Sequence, residues 1–328
     1  MIHRVLIIPT VVAGLMACSP TDPNDVTDTV SVSQSGPADT VDNTLVTTKT
    51  ARQAPTDPKL RTERINDNLH VLFGPGGNIG VSSGEDGVVL IDDKFAANAD
   101  EILYRVSEIS DGPLLFVINT HLHGDHSGSN AQMSDEGALI MAHDNVRKRM
   151  GLTYENKAFG RTNEARDPAD WPVVTFSDEA SLHFNGLTAR AIHIPEAHTD
   201  GDSIVVFDGA NVVHMGDNLF LNMFPFVDVD SGGSMQGMIA AHDRVLEMAD
   251  VDTVIIPGHG PITDKAGLQS ARDMLKAVYD RVRVRKEAGM TLQAIIDERP
   301  LEDFAEMARF IDEAGIITAA WRSQGGAF

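Results

Sequence analysis

A single cysteine, Cys18, occurs in 328 residues, and aromatic residues make up only 5%. One thiol excludes an intramolecular disulfide framework. It also excludes any metal site built on two or more thiolates, such as a zinc ribbon or an iron–sulfur cluster. Basic residues are scarce as well. Against 48 Asp and Glu there are 26 Lys and Arg, a formal charge of −22, which argues against nucleic acid as a partner. No internal repeat is visible. What is there is 42% apolar, an ordinary globular share, in a chain long enough to bury a large core.

The cysteine lies near the start, in MIHRVLIIPTVVAGLMACSP. Arg4 gives a short positive region. Val5–Met16, twelve largely apolar residues, is too short to span a bilayer and has the size of a secretory h-region. Leu15-Met16-Ala17-Cys18 resembles the lipobox of bacterial lipoproteins, which implies cleavage before Cys18 and a lipid on its thiol. Ser19, rather than Asp, favours the outer membrane. Residues 19–60 hold 13 Ser/Thr, 10 apolar residues and no aromatics, too little apolar surface to offset ordering entropy. The expected organisation is a signal peptide over 1–17, a lipidated Cys18 and flexible linker to 60, and one folded domain over 61–328. The expected location is periplasmic, with the membrane touched only through the anchor. Residues 1–60 carry −2 of the charge and the domain −20.

From Arg61 onward the pattern alternates between strand and helix. Asn68–Gly74 and Gly77–Ser83 predict a hairpin. Val88-Val89-Leu90-Ile91 and Leu114–Asn119 are continuous apolar runs suited to buried strands, and Gly137–Ala142 predicts another. Asn98–Ser110 carries a helical apolar stripe, and a short basic helix is expected around Arg147–Arg149. Gly151–Pro172 reads as an irregular insertion. Short strands are expected at 173–176, 180–184, 187–193, 203–208, 211–215 and 253–257. Helices are expected at 234–249, 265–286, about 291–298 and about 303–322. Sheets with helices packed outside them follow.

Residues able to bind metal close these strands. Thr120-His121-Leu122-His123-Gly124-Asp125-His126 places four such side chains within six residues. In an extended loop His121 and His123 face the same way, and Asp125 and His126 follow a turn at Gly124. His198, Asp217 and His259 come from three later strand ends, where open α/β sheets present ligands. Imidazole and carboxylate suit zinc foremost.

This order, His-x-His-x-Asp-His, then a His 72 residues on, an Asp 19 further and a His 42 further, resembles the metallo-β-lactamase superfamily. The resemblance implies an α/β fold of the αββα kind, two mixed sheets face to face with flanking helices. It implies two zinc ions, one on His121, His123 and His198, the other on Asp125, His126 and His259, with Asp217 bridging. Asp125 would also orient the attacking hydroxide or shuttle its proton. The expected reaction is hydrolysis of a small cyclic or activated acyl substrate: a β-lactam, a lactone or a thioester. The alternative is a non-catalytic periplasmic metal-binding accessory of a metabolic pathway. The subclass with a cysteine ligand is excluded, because Asp217 stands at that place. The histidine-rich β-lactamase subclass lacks a bridging Asp, whereas thioesterases of the glyoxalase II type and lactonases have one.

Several residues have plainer expected roles. His143 is expected to cap a helix or pack, and His193, His214 and His242 to be structural. Gly74-Pro75-Gly76-Gly77 is read as a hairpin turn. The apolar segment Leu219–Val227 is either a substrate wall or core, with Phe220 inside and Phe224 or Phe226 outside.

Overall fold

The computed structural model describes residues 52–326. The signal peptide, the lipobox with Cys18 and the linker as far as residue 51 lie outside the described residues. None of the described helices is long and apolar enough to cross a membrane.

In chain order the elements begin with β1 (Arg61–Arg64), β2 (Leu69–Phe73), β3 (Ile79–Gly84), β4 (Gly87–Ile91), α1 (Ala99–Ile109) and β5 (Leu114–Ile118). Next come α2 (Gly124–Ser127), α3 (Asn130–Asp135), β6 (Leu139–His143), α4 (Asp144–Met150), β7 (Tyr154–Asn156), β8 (Arg161–Asn163) and β9 (Val174–Phe176). The second half runs β10 (Glu179–Phe184), β11 (Leu187–Ile194), β12 (Asp202–Asp208), β13 (Val212–Phe220), α5 (Met235–Met248) and β14 (Val254–His259). It ends in α6 (Lys265–Glu287), α7 (Leu292–Glu298) and α8 (Glu313–Ser323). Seven strands form one sheet, in the order β1-β2-β3-β4-β5-β6-β9, and five form the other, β10 through β14 in sequence. Both are mixed: β1 to β4 pair antiparallel and β4, β5, β6 and β9 parallel, while in the second sheet only β13 and β14 run parallel.

Alternation along the strands explains the layers. Val89 and Ile91 of β4 face the second sheet and meet Val205 and Phe207 of β12. Val88 and Leu90 face the other way, onto Ile102 and Val106 of α1. Ile204 and Val206 point outward onto the layer of α5, α6 and α8, which supplies Met238, Val245, Leu275 and Ile316. A strand covered on both faces must be apolar at every position, which is why these segments read as continuous runs. The result is the expected αββα sandwich.

Four departures have local causes. β1 has no apolar pattern because all four residues are exposed at a sheet edge. The insertion 151–172 contains the antiparallel hairpin β7–β8, whose polar residues hide it. The expected final helix is broken: a 3-10 turn, Glu302–Met307, precedes α8, whose N-cap Asp312 accepts from the Gly315 amide. Leu60, in the expected linker, is buried, and its amide donates to Glu101 Oε1 at 2.8 Å. The basic run on α6 serves these C-terminal segments. Arg281 pairs with Asp303, and Arg285 pairs with Glu298.

His242 of α5 has the structural role expected. It is buried, and its Nε2 donates to Asn218 O at 2.6 Å. Burial holds the ring below its usual 6.5, at about 4. Between those values the unfolded chain binds a proton that the native chain refuses. This contribution is therefore complete above pH 6.5 and is lost as pH falls toward 4. His242→Gln keeps the donor and removes the titration. We expect its stability loss between pH 7 and pH 5, measured by urea unfolding, to be about 2 kcal/mol smaller than that of the parent. Identical acid limbs for the two proteins would refute this role.

Candidate metal centre

All seven candidate ligands come together at one end of the sandwich. The first sheet contributes the chain after β5. His121 comes three residues after the last residue of β5, and His123 is the N-cap of α2. The loop is therefore not extended throughout: Asp125 and His126 stand on the first turn of a short helix, and the His126 ring lies 4.3 Å from that of His121. The second sheet supplies the others. His198 lies between β11 and β12. Asp217 was expected after a strand ending at Met215, but it lies inside β13, where the register to β14 shifts twice. These irregularities swing the carboxylate toward the first sheet. His259 is the last residue of β14.

The side chains form two groups, His121, His123, His198 and Asp217, and Asp125, His126 and His259. In the first, His121 Nε2 is 3.2 Å from His123 Nδ1, and His198 Nε2 is 2.9 Å from His123 Nδ1. Asp217 Oδ2 is 3.5 Å from His198 Nε2 and 3.7 Å from His121 Nε2. In the second, His126 Nε2 is 3.3 Å from His259 Nε2, and Asp125 Oδ2 is 3.2 Å from His259 Nε2. Asp217 Oδ1 faces this second group, 2.9 Å from His126 Nε2 and 3.3 Å from His259 Nε2.

Hydrogen bonds behind the rings fix which nitrogens face inward. His198 Nδ1 donates to Phe226 O at 2.8 Å, and His123 Nε2 to Asp228 Oδ2 at 2.9 Å. His126 Nδ1 donates to Asp92 Oδ2 at 2.7 Å. The Thr120 hydroxyl donates to the same oxygen and so accepts from His121 Nδ1 at 3.1 Å. In each neutral ring the remaining nitrogen then carries a lone pair. His123 Nδ1 and His198 Nε2 thus aim lone pairs at one another, which is repulsive unless a shared cation or proton lies between them. Asp217 Oδ1 is buried without a hydrogen bond despite its two imidazole neighbours. Four donors held 2.0–2.1 Å from a tetrahedral zinc are about 3.3 Å apart, which is the spacing found. The residues present fit a metal pair.

Electrostatics divides the histidines. Burial lowers His198 to about 4, only partly offset by Asp217. For His259 burial is outweighed by the Asp217 and Asp125 carboxylates, which hold it up at about 9. Close approach requires glycine at two places. A Cβ on Gly77 would run into the His126 ring, and one on Gly258 into Asp217 Oδ1. Gly77 N also donates to Asp125 O at 3.0 Å, so the glycine turn packs against the ligand loop.

Asp92, Thr120 and Asp228, which hydrogen-bond the candidate ligands from behind, are the site residues that sequence reasoning missed. Asp92 is fully buried and accepts from Thr120 N at 2.7 Å, from the Thr120 hydroxyl and from His126. The available signal was a carboxylate closing the apolar run of β4. Partners of this kind orient ligands and tune their basicity. Asp92→Asn is expected to weaken metal affinity about 10–100-fold, read by competition with a chromogenic chelator. Unchanged affinity would show that Asp92 serves only the fold.

His143 and His214 take the plain roles expected. His143 caps α4 through Asn145 N and stacks on His193, with ring centroids 3.6 Å apart. His214 bonds to Asn78 O. Of the apolar segment, Phe224 is core. Phe226 lines the cleft above the site, against the His123 ring. Phe220 is inside as expected, buried in the core, and its ring also stacks on His259 at 4.9 Å where it borders the same cleft.

Residues 73–263 match the family model of the metallo-beta-lactamase superfamily. The chain belongs to that superfamily, whose members are mostly hydrolases that bind metal ions. No curated protein matches. Among solved structures, the DIM-1 metallo-beta-lactamase has a TM-score of 0.55 at 17% identity, over 67% of this chain and 98% of its own. A metallo-beta-lactamase from Pontibacter korlensis has a TM-score of 0.55 at 17%, over 66% and 99%. The inverting sec-alkylsulfatase Pisa1 from Pseudomonas sp. has a TM-score of 0.62 at 15%, over 82% of this chain and 51% of its own. At these identities the likeness concerns the fold.

Proposed function

We propose that this chain is a two-zinc hydrolase acting on the carbonyl of a small cyclic or activated acyl compound: a β-lactam, a lactone or a thioester. The observation that carries this reading is Asp217, a buried carboxylate with one oxygen toward each group of ligands. His121, His123, His198 and Asp217 would hold one ion, and Asp125, His126, His259 and Asp217 the other. Bound there, zinc supplies Lewis acidity and brings the pKa of water near 7. The chain's own residues do the rest. His121, His126, His198 and Asp217 are buried, whereas His123, Asp125 and His259 are partly exposed and line a cleft of about 760 Å³. Substrate therefore enters from their side. Burial alone would raise the Asp125 carboxyl, but His126 and His259 outweigh it and hold the group ionised, at about 2. This carboxylate faces the cleft. It accepts a hydrogen bond from the attacking water and so orients it toward the carbonyl. Asp228 and the Phe226 carbonyl keep His123 and His198 in the tautomer that leaves their inner nitrogens free.

The test is metal analysis of the zinc-loaded protein together with hydrolysis of nitrocefin, an acyl lactone, an acyl thioester and 2-octyl sulfate. Two ions per chain with turnover of an acyl substrate is the expected result. Turnover of the sulfate ester alone would move the reaction to sulfate esters, as in the alkylsulfatase neighbour. Two ions with no turnover of the panel would favour a metal-binding accessory.

A further inference from the structure

With the acyl centre at the metal site, as the proposed function requires, the remainder of the substrate lies along a wall that the metal chemistry does not use. An aromatic ladder leads outward from His123. The Phe226 ring is 5.8 Å from His123, Phe159 is 4.8 Å from Phe226, and Phe310 is 6.0 Å from Phe159. Phe159 and Phe310 are 41% and 62% exposed, and with Phe226 they form a contiguous apolar patch beside the cleft. These three rings separate the cleft from an adjoining cavity of about 440 Å³, and they border both. The rungs come from different parts of the chain: Phe159 from the turn between β7 and β8, Phe226 from the segment after β13, and Phe310 from the approach to α8.

Asp125, Glu164 and Asp217 place carboxylates on the cleft wall, and three arginines, Arg149, Arg161 and Arg166, line it as well. Two of them are committed to the fold. Arg149 makes a bidentate pair with Asp200, and Arg166 donates to Leu122 O at 2.7 Å and Ser127 O at 2.9 Å. Arg161 is different. Among the described residues its guanidinium has no carboxylate or carbonyl partner; it rests over the Phe159 ring, 5.3 Å from the centroid. A guanidinium stacked on an aromatic keeps its planar donors free for an oxyanion. The hairpin that presents it is anchored, since Lys157 N donates to Asp230 Oδ2 at 2.8 Å and Asp230 pairs with Arg322 of α8.

We propose that the cleft binds amphiphilic anions, with the apolar chain or ring of the substrate along Phe226, Phe159 and Phe310 and its carboxylate or sulfonate-like group on Arg161. An apolar wall bordered by one uncommitted guanidinium selects by that pairing. Neutral substrates of equal length bind through the ladder alone.

The test uses the zinc-loaded full chain and calorimetric titration with 1-octanesulfonate, a poor metal ligand, and octanamide, its uncharged counterpart. The sulfonate is expected to bind about tenfold more tightly, as for one charge-assisted pair. Arg161→Gln, an exposed change on a surface hairpin, should remove that advantage and leave octanamide within about twofold. Phe159→Ala should weaken both ligands about tenfold. Equal affinities in the parent, or a sulfonate advantage that survives Arg161→Gln, would overturn the proposal. Titration needs no turnover, so the two readings fail separately. A silent substrate panel with an Arg161-dependent preference defeats the hydrolase and leaves this subsite standing. Turnover without that preference does the reverse.

Discussion

Asp217→Asn is expected to lower turnover of any substrate in the panel by about a thousandfold or more. The carboxylate is 4% exposed and addresses both groups of ligands with separate oxygens. Asparagine keeps its volume, but it carries no charge and must turn an amide NH2 toward one set of imidazole nitrogens. One ion then loses an anionic ligand and gains a misdirected donor. Loss of several kcal/mol of charge stabilisation in the transition state corresponds to about three decades in rate. Metal content should fall from two ions to one or fewer, measured by atomic emission after gel filtration. Near-ultraviolet dichroism should stay close to that of the parent, because Gly258 and the shifted register of β13 hold the backbone independently of the charge. An Asp217→Asn variant with two ions and full turnover would contradict the bridging role.

Removing the metal is expected to have the second largest effect, this time on stability. Without ions the lone pairs of His123 and His198 confront each other at 2.9 Å, and Asp217 Oδ1 stays buried without a hydrogen bond. An ion present at a thousand times its Kd contributes about 4 kcal/mol. At about 2–4 °C per kcal/mol for a domain of this size, chelation should lower Tm by about 10 °C. Zinc should restore it, and magnesium, which favours oxygen donors, should not. A Tm indifferent to chelator, in protein shown by emission to have lost its metal, would mean that the cluster is held by the fold alone.

The sequence displayed those parts of the molecule whose physics is local. β4, β5 and β12 are covered on both faces, so burial alone makes them apolar runs. The seven ligand-type residues stand out because four of them crowd into six positions and metal chemistry admits few residue types. What stayed hidden depends on distant partners. Asp92 serves a histidine 34 residues away, and Asp228 one 105 residues away; neither has a local pattern. β1 and the β7–β8 hairpin are edge or surface pieces whose pairing carries no apolar alternation. Asp217 stands out as a candidate ligand, yet its place inside β13 does not, because a bulge leaves no mark in hydropathy. Phe226 could be narrowed to wall or core but not decided, since the answer depends on which side of β13 the chain passes.

The division of ligands between the sheets has a consequence for assembly. The first sheet is complete by Phe176, and it brings His121, His123, Asp125 and His126. His198, Asp217 and His259 arrive only with the second sheet. A chain emerging in order therefore exposes a fragment of each site long before either can close. On the proposed two-ion reading, tight metal capture awaits docking of the two halves, and the ions would then be cross-links between segments distant in sequence. Loading would be a late checkpoint on folding: a molecule that retained both ions would, by that fact, have brought its two sheets into register.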